Sequence, residues 1–382
     1  MLLWLAGCSS VLGISDPTTA DTGDRDAGTV DSVIDGPVDA NPSCTAPLKL
    51  AAERLSPVPK PGTGFALGKL DDGGVYDIAV ATGSDVVILH GNGAGSFGGN
   101  GAPSVVPTPA TDVVSADFDS DGDDDLAMWT VGGTSVVVRR TNRALAPPVE
   151  APQPLTGPFT NVRRVLVEQL DSETRPDLLV YDRSGGTRAH TSNALAPGSF
   201  TRGPQINGGE FELLAMVALD NVEQEDALFR QAGSMAVSHL SNAFMFRGPF
   251  QLAMGATGTG IAVGHFNADD RPDFVLTTPE GLVLYVQHDV VAAVFRREGV
   301  ISPMQSAPPI LVGDVNGDGL DDIITPTAAI LQCAGPVGGV GVFTHVEPIA
   351  AAQPAQLVDV TGDGKLDLVR LDGATVKVRV QQ

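Results

Sequence analysis

Cysteine is nearly missing from this 382-residue chain, which has three, and aromatic residues make up only 5% of it. Three cysteines exclude a disulfide-built scaffold, and scarce aromatics exclude a core filled by large rings. Basic residues are outnumbered: 23 Lys and Arg stand against 46 Asp and Glu, a formal charge of −23. Nucleic acid and anionic lipid surfaces reward fields of Lys and Arg, so neither is expected as the main partner. Long apolar runs are lacking too. The longest uncharged candidate, Ile323 to Val346, is interrupted by Pro326, Pro336 and four glycines, which suits strands and turns rather than a membrane span. What is abundant is glycine (45) and proline (28), about 12% and 7% of the chain, and the 42% of apolar residues are mostly Val, Leu and Ala. A core of β-branched and small residues cut by frequent turns follows, and a helical bundle or a disordered chain is excluded.

One unit recurs along residues 65–382: a short apolar strand, an acidic loop ending in Asp, and a second apolar strand. The terminal aspartates are Asp77, Asp125, Asp177, Asp226, Asp273, Asp322 and Asp367, spaced 45 to 52 residues apart. A third β-rich run follows each, as in Asp85-Val-Val-Ile-Leu-His90, and then a more polar fourth, usually around a Phe. Four strands per ~45–50 residues is the size of a propeller blade. The reading is therefore all-β: a seven-bladed β-propeller of four-stranded blades. The last unit stops after its third strand, and Pro47 to Val58 resembles the other fourth strands. That N-terminal segment is expected to pair with the last blade and close the ring, removing an exposed edge.

Three loops carry oxygen side chains at positions 1, 3, 5 and 9 with Gly at 6. They are Asp117, Asp119, Asp121 and Asp125; Asp314, Asn316, Asp318 and Asp322; and Asp359, Thr361, Asp363 and Asp367. Ca²⁺ takes six to eight oxygens, and Gly at 6 permits the bend that aims a position-7 carbonyl, here of Asp123, Leu320 or Lys365, at the ion. Three calcium sites are expected, with a fourth, weaker one at Asn267, Asp269 and Asp273, where His265 replaces the first acid. The blade-one loop puts Lys69 and Gly73 at ligand positions beside Asp71. The blade-three loop has Gln169, Asp171 and Glu173, and the blade-four loop, around Asp220, should be empty.

With these loops, and with Gly91-Asn-Gly-Ala-Gly-Ser-Phe97, residues 65–382 resemble the FG-GAP/VCBS repeat family, whose units read roughly strand, D-x-[DN]-x-D-G-x-x-D, strand. The resemblance implies an integrin-α-like propeller with calcium loops on one face. It also implies partner binding on the opposite face, through 81–85, 130–134, 182–187, 230–234 and 278–281, and through connections near 100–111, 152–162, 204–212 and 251–260.

The N-terminus divides differently. Leu5-Ala6-Gly7-Cys8 resembles the lipobox of bacterial lipoproteins, which implies acylation of Cys8 and a membrane attachment through that lipid alone. Ser9 after the cysteine resembles lipoproteins sorted to the outer membrane of the bacterial envelope. No Lys or Arg precedes Cys8, and the apolar run from Leu2 to Ala6 is shorter than the ~7–15 residues of a secretory signal, so the true start is expected upstream. Residues 9–44, with seven aspartates and almost no large apolar residue, are expected to be a disordered acidic tether ahead of the propeller at 45–382. Cys44 and Cys333 are either one disulfide or two buried thiols.

Catalytic motifs are lacking: no H-E-x-x-H, G-x-S-x-G or P-loop occurs. His90, His190 and His239 each lie 13 residues after their unit's Asp, which predicts one shared register on the third strand, inherited with the repeat. Such residues do not converge on one ion. Trp129 follows a second strand, where it either reaches the partner face or packs in the core. The expectation is a non-enzymatic binding or adhesion module for protein or carbohydrate. Its rivals are a polysaccharide hydrolase or lyase working in the propeller funnel and a structural envelope protein.

Overall fold

The computed structural model describes residues 47–382 except 72, 100, 143, 172, 194, 207–211, 218–225, 232–233, 242–244, 254–259, 268, 270, 290–293, 304–309, 334–341 and 350–353. The lipobox, the tether and Cys44 lie outside the described residues. Every described element is a strand, and the strands form seven four-stranded antiparallel sheets.

Each sheet is a meander in chain order. Blade one holds Gly64–Gly68, Asp77–Ala81, Val86–Leu89 and Ser104–Val106. Blade two holds Asp112–Ala116, Asp125–Trp129, Val136–Arg139 and Gln153–Pro154. Blade three runs Val162–Glu168, Asp177–Asp182, Gly186–Ser192 and Phe200–Gln205, and blade four Glu212–Val217, Asp226–Gln231, Ser234–Ser241 and Met245–Ala253. Blade five runs Ile261–Gly264, Asp273–Thr278, Gly281–Asp289 and Val294–Ser302, and blade six Leu311–Gly313, Asp322–Ile324, Ala328–Cys333 and Val342–Pro348. Blade seven supplies Ala355–Val358, Asp367–Asp372 and Thr375–Arg379, and Arg54–Pro57 completes it from the other end of the chain. All seven repeat aspartates are the first residue of a second strand.

Side-chain alternation explains why second strands read as unbroken apolar runs. Ile78 and Val80 face blade seven, packing with Val369, Leu371 and Val376, whereas Ala79 and Ala81 face blade two with Val113 and Met128. Both faces of a blade are covered by neighbours, so both parities are apolar. Equivalent clusters join blades two and three, three and four, five and six, and six and seven. First strands pack tightest: a Cβ on Gly64 would lie 2.5 Å from the Asp112 carboxylate, so only glycine lets these two blades approach.

Fourth strands depart from expectation in two blades. In blade one, Phe97 makes only an isolated bridge with Gly91, and the fourth strand begins later, at Ser104. Gly93, Gly95 and Gly98 all take positive φ there, which turns the chain away from a ladder. In blade two the fourth strand is the two-residue Gln153–Pro154, without a Phe. Cys333 is disulfide-bonded to a partner outside the described residues. No helix among the described residues is long and apolar enough to cross a membrane.

Candidate metal centres

The acidic loops join first to second strands, so the hairpin geometry sets them all at one end of the blades. In blade two the position-1 acid organises the turn: Asp117 accepts hydrogen bonds from the N–H groups of Asp121 (3.1 Å) and Gly122 (3.0 Å). Asp314 does the same in blade six for Gly317 (2.6 Å) and Gly319 (2.8 Å), and Asp359 in blade seven for Gly362 (2.6 Å) and Gly364 (2.7 Å). The position-6 glycines Gly122, Gly319 and Gly364 have φ of 95°, 82° and 83°, the bend expected of them. Position 4 is left-handed as well, with Gly317 and Gly362 in two loops and Ser120, at φ 63°, in the third.

Position-5 acids accept the position-7 N–H in each loop, from Asp123 to Asp121 (2.9 Å), Leu320 to Asp318 (3.0 Å) and Lys365 to Asp363 (3.1 Å). One carboxylate oxygen from each of Asp117, Asp119 and Asp121 lies within 4.8 Å of the others. Three anions so close repel one another unless a cation sits among them, and their spacing suits an oxygen-ligated ion. Arg140 Nη1 stands 3.4 Å from Asp119 and balances part of that charge. In blade six, Asn316 donates from Nδ2 to Asp318 (3.0 Å), and in blade seven Thr361 Oγ1 lies 3.3 Å from Asp359.

The position-9 acids have a second task. Asp125 accepts N–H bonds from Phe118 (3.1 Å) and Thr141 (2.8 Å), Asp322 from Val315 (3.1 Å) and Gln332 (2.9 Å), and Asp367 from Val360 (3.1 Å) and Gln381 (2.9 Å). Asp177 and Asp273 make the same pair of bonds. Each clamps the loop to the end of the third strand, in blades with and without a calcium pattern. This structural role was not read from the sequence, although seven aspartates outnumbering three intact loops already signalled it.

Burial is the main cause of a raised pKa at each: about 8 for Asp125 and Asp322, about 7 for Asp273, and about 6 for Asp177 and Asp367. Neighbouring acids raise them further, and the backbone N–H groups pull the other way. An acid whose pKa is raised by folding binds its proton more tightly in the native state than in the unfolded chain. Its stabilisation is complete below about pH 4 and is lost as pH rises towards 8. In chelator, the melting temperature is therefore expected to fall by several degrees from pH 5 to pH 8, and millimolar calcium should flatten that slope. A metal-free melt that rises over this interval would contradict the assignment.

Two of the degraded loops, in blades three and five, are filled from within. In blade three, Gln169 directs its amide at the carbonyls of Asp171 (3.2 Å) and Glu173, where a cation would otherwise sit. In blade five, Arg271 pairs with Asp269 through Nε at 3.0 Å and through Nη2, while Asn267 accepts the Asp269 N–H (3.0 Å). The guanidinium neutralises the acid that the weaker site needs. The blade-four loop lies outside the described residues. Position-8 acids, which the sequence reading passed over, tie neighbouring blades: Asp124 accepts the Lys69 N–H and Asp321 the His265 N–H, both at 2.7 Å. The signal at these two places was an acid at position 8 after a blade whose position 1, Lys69 or His265, is not an acid.

Equal spacing did not give the histidines one register. Val86–Leu89 pairs Leu89 with Ile78, which sets His90 opposite Asp77, but His190 pairs with Leu178, one residue further on. The turn before it is one residue shorter, and a one-residue slip sends a side chain to the other face. His190 is fully buried, 5.6 Å from the Phe159 ring, and burial followed by Arg188 and Arg202 lowers its pKa to about 4. The His239 side chain lies outside the described residues. Trp129 is a core residue, 3% exposed and packed with Phe159 and Val136.

No family model matches the chain. Its fold is similar to that of an Agrocybe aegerita lectin specific for non-reducing terminal N-acetylglucosamine, with a TM-score of 0.57 and 14% identity over 76% of this chain and 80% of the lectin. It is also similar to BBS1N, crystallised in complex with ARL6DN, with a TM-score of 0.52 and 11% identity over 88% of this chain and 98% of BBS1N. The seven-sheet ring and these likenesses make the chain a β-propeller.

Proposed function

We propose that this protein is a non-enzymatic binding module of the FG-GAP/VCBS kind, a calcium-stiffened propeller that presents one face to a protein or carbohydrate. In this reading it is held in a bacterial envelope, at the outer membrane, by a lipid on Cys8. The convergence of Asp117, Asp119 and Asp121 carries the calcium part. The hairpins carry the rest: stiff ion loops take one end of the blades and leave the turns at the other end, such as 82–85 and 183–185, free to vary around a partner. The lectin and BBS1N support it as propellers whose partners belong to the two classes proposed here. A protein partner is favoured, because Trp129, Tyr181 and Tyr285 are buried and Tyr76 is half-buried, whereas sugar faces stack on exposed rings.

A hydrolase or lyase in the central funnel is the second reading. First strands carry Asp112, whose pKa burial raises to about 6, and Glu212, but Arg164 offsets both charges. The test is to offer the intact protein immobilised glycans and purified envelope and matrix proteins, in millimolar calcium and in chelator. Saturable capture of one partner that weakens on chelation is expected. A folded protein that retains nothing would overturn the binding reading, and shortened polysaccharide chains would favour the funnel.

A further inference from the structure

Blade one has lost the calcium pattern, with Lys69 and Gly73 at ligand positions, yet its remaining acids are not idle. His90, at the end of the third strand, reaches over the loop so that its Nδ1 lies 3.0 Å from Asp71 Oδ2 and 3.7 Å from Asp77 Oδ1. One ligand atom from each of the three residues falls within 4.8 Å of the others. Asp77 is fully buried and its Oδ1 accepts the Gly91 N–H (2.8 Å), while the buried His90 Nδ1 makes no hydrogen bond to any described residue. A buried imidazole nitrogen without a hydrogen bond is costly, and a cation held between it and the two carboxylates removes that deficit.

We propose that Asp71, Asp77 and His90 form a binding site for a zinc-class divalent cation, distinct in ligand chemistry from the calcium loops. An imidazole nitrogen suits borderline metals, whereas calcium takes oxygen ligands. Ligand atoms ~2.0–2.1 Å from a tetrahedral ion stand about 3.3 Å apart, a value that 3.0 and 3.7 Å bracket. Three protein ligands leave the fourth position open. It faces a cavity of about 520 Å³ whose wall includes Gly73, Ser104, Leu145 and Pro147, with room for water or an oxygen donor of a small ligand. His190 offers the control within the same molecule: also buried, it has Phe159 beside it and, among the described residues, no acid paired with its ring nitrogens. The proposal does not depend on what the opposite face binds.

The full chain, stripped of metal, would be titrated with Co²⁺ alone, read by visible absorption, and with Zn²⁺ alone, read by calorimetry. One saturable site is expected, unaffected by millimolar calcium, and weakened at least about tenfold by either His90→Gln or Asp71→Asn. Asp71 is half-buried on the loop, so its variant reports even if His90→Gln disturbs the blade. No saturable binding, or binding that both folded variants retain unchanged, would overturn the site and leave His90 as a partner of the two acids without metal.

Discussion

Deletion of residues 47–58 from the full chain is expected to abolish cooperative melting and drive the protein into aggregates. Arg54–Pro57 pairs residue for residue with Thr375–Val378, and the contact continues outward through the Leu50–Gln381 bridge and the bond from Ala51 N–H to the Val380 carbonyl (2.7 Å). Val58 belongs to the core between blades seven and one, and Ser56 Oγ accepts the Phe97 N–H at 2.8 Å. Arg379 donates to the carbonyls of Ala51 (3.1 Å) and Leu50 (3.2 Å), and Arg370, 4% exposed, pairs with Glu53. Removing one partner of a buried pair costs ~3–5 kcal/mol, and Glu53, a third exposed, sets this loss near the low end. With a strand edge laid bare and a whole stability of ~5–15 kcal/mol, the deletion leaves little in reserve. Size-exclusion chromatography and a thermal scan decide it: an unchanged monomer with an unchanged melt would show that the ring does not need this strand.

Asp177→Ala is expected to cost about 2–6 kcal/mol. Its two oxygens accept the Leu170 N–H (2.9 Å) and the Ser192 N–H (2.7 Å), in a site with no exposure at all. Without the carboxylate both donors are stranded in the core, at ~1–3 kcal/mol each. Asp177→Asn keeps one acceptor but turns an amide donor towards the other N–H, so it should fall between Ala and wild type. Blade three has its loop filled by the Gln169 amide, so the loss should be equal in calcium and in chelator. Urea unfolding measures it directly. A loss below about 1 kcal/mol would mean that the repeat aspartate is kept for something other than this clamp.

These two sites differ in how openly the chain announces them. The repeat aspartate is legible because it opens a second strand in every blade, and the glycines at position 6 because their backbone needs a left-handed bend. The closing strand is legible by arithmetic, since the last unit is one strand short. His90 and His190 mark the limit: identical spacing from an Asp, opposite faces, because 82–85 and 183–185 are turns of different length. Nor does spacing announce that Gln169 and Arg271 put their own donors where a cation would sit.

By itself, then, the order of residues determined the seven units, the first three strands of each, the position of each acidic loop and the circular closure. The units follow from hydrogen bonds and alternation between segments only a few residues apart, and the closure, which pairs the two ends of the described chain, from a last unit one strand short. Tertiary structure alone decided that the position-9 acids clamp third strands, that Asp124 and Asp321 tie blades together, and that Asp71, Asp77 and His90 meet beside a cavity. Those meetings depend on turn length and on how blades pack, and side chains brought together in that way leave no fixed interval in the chain.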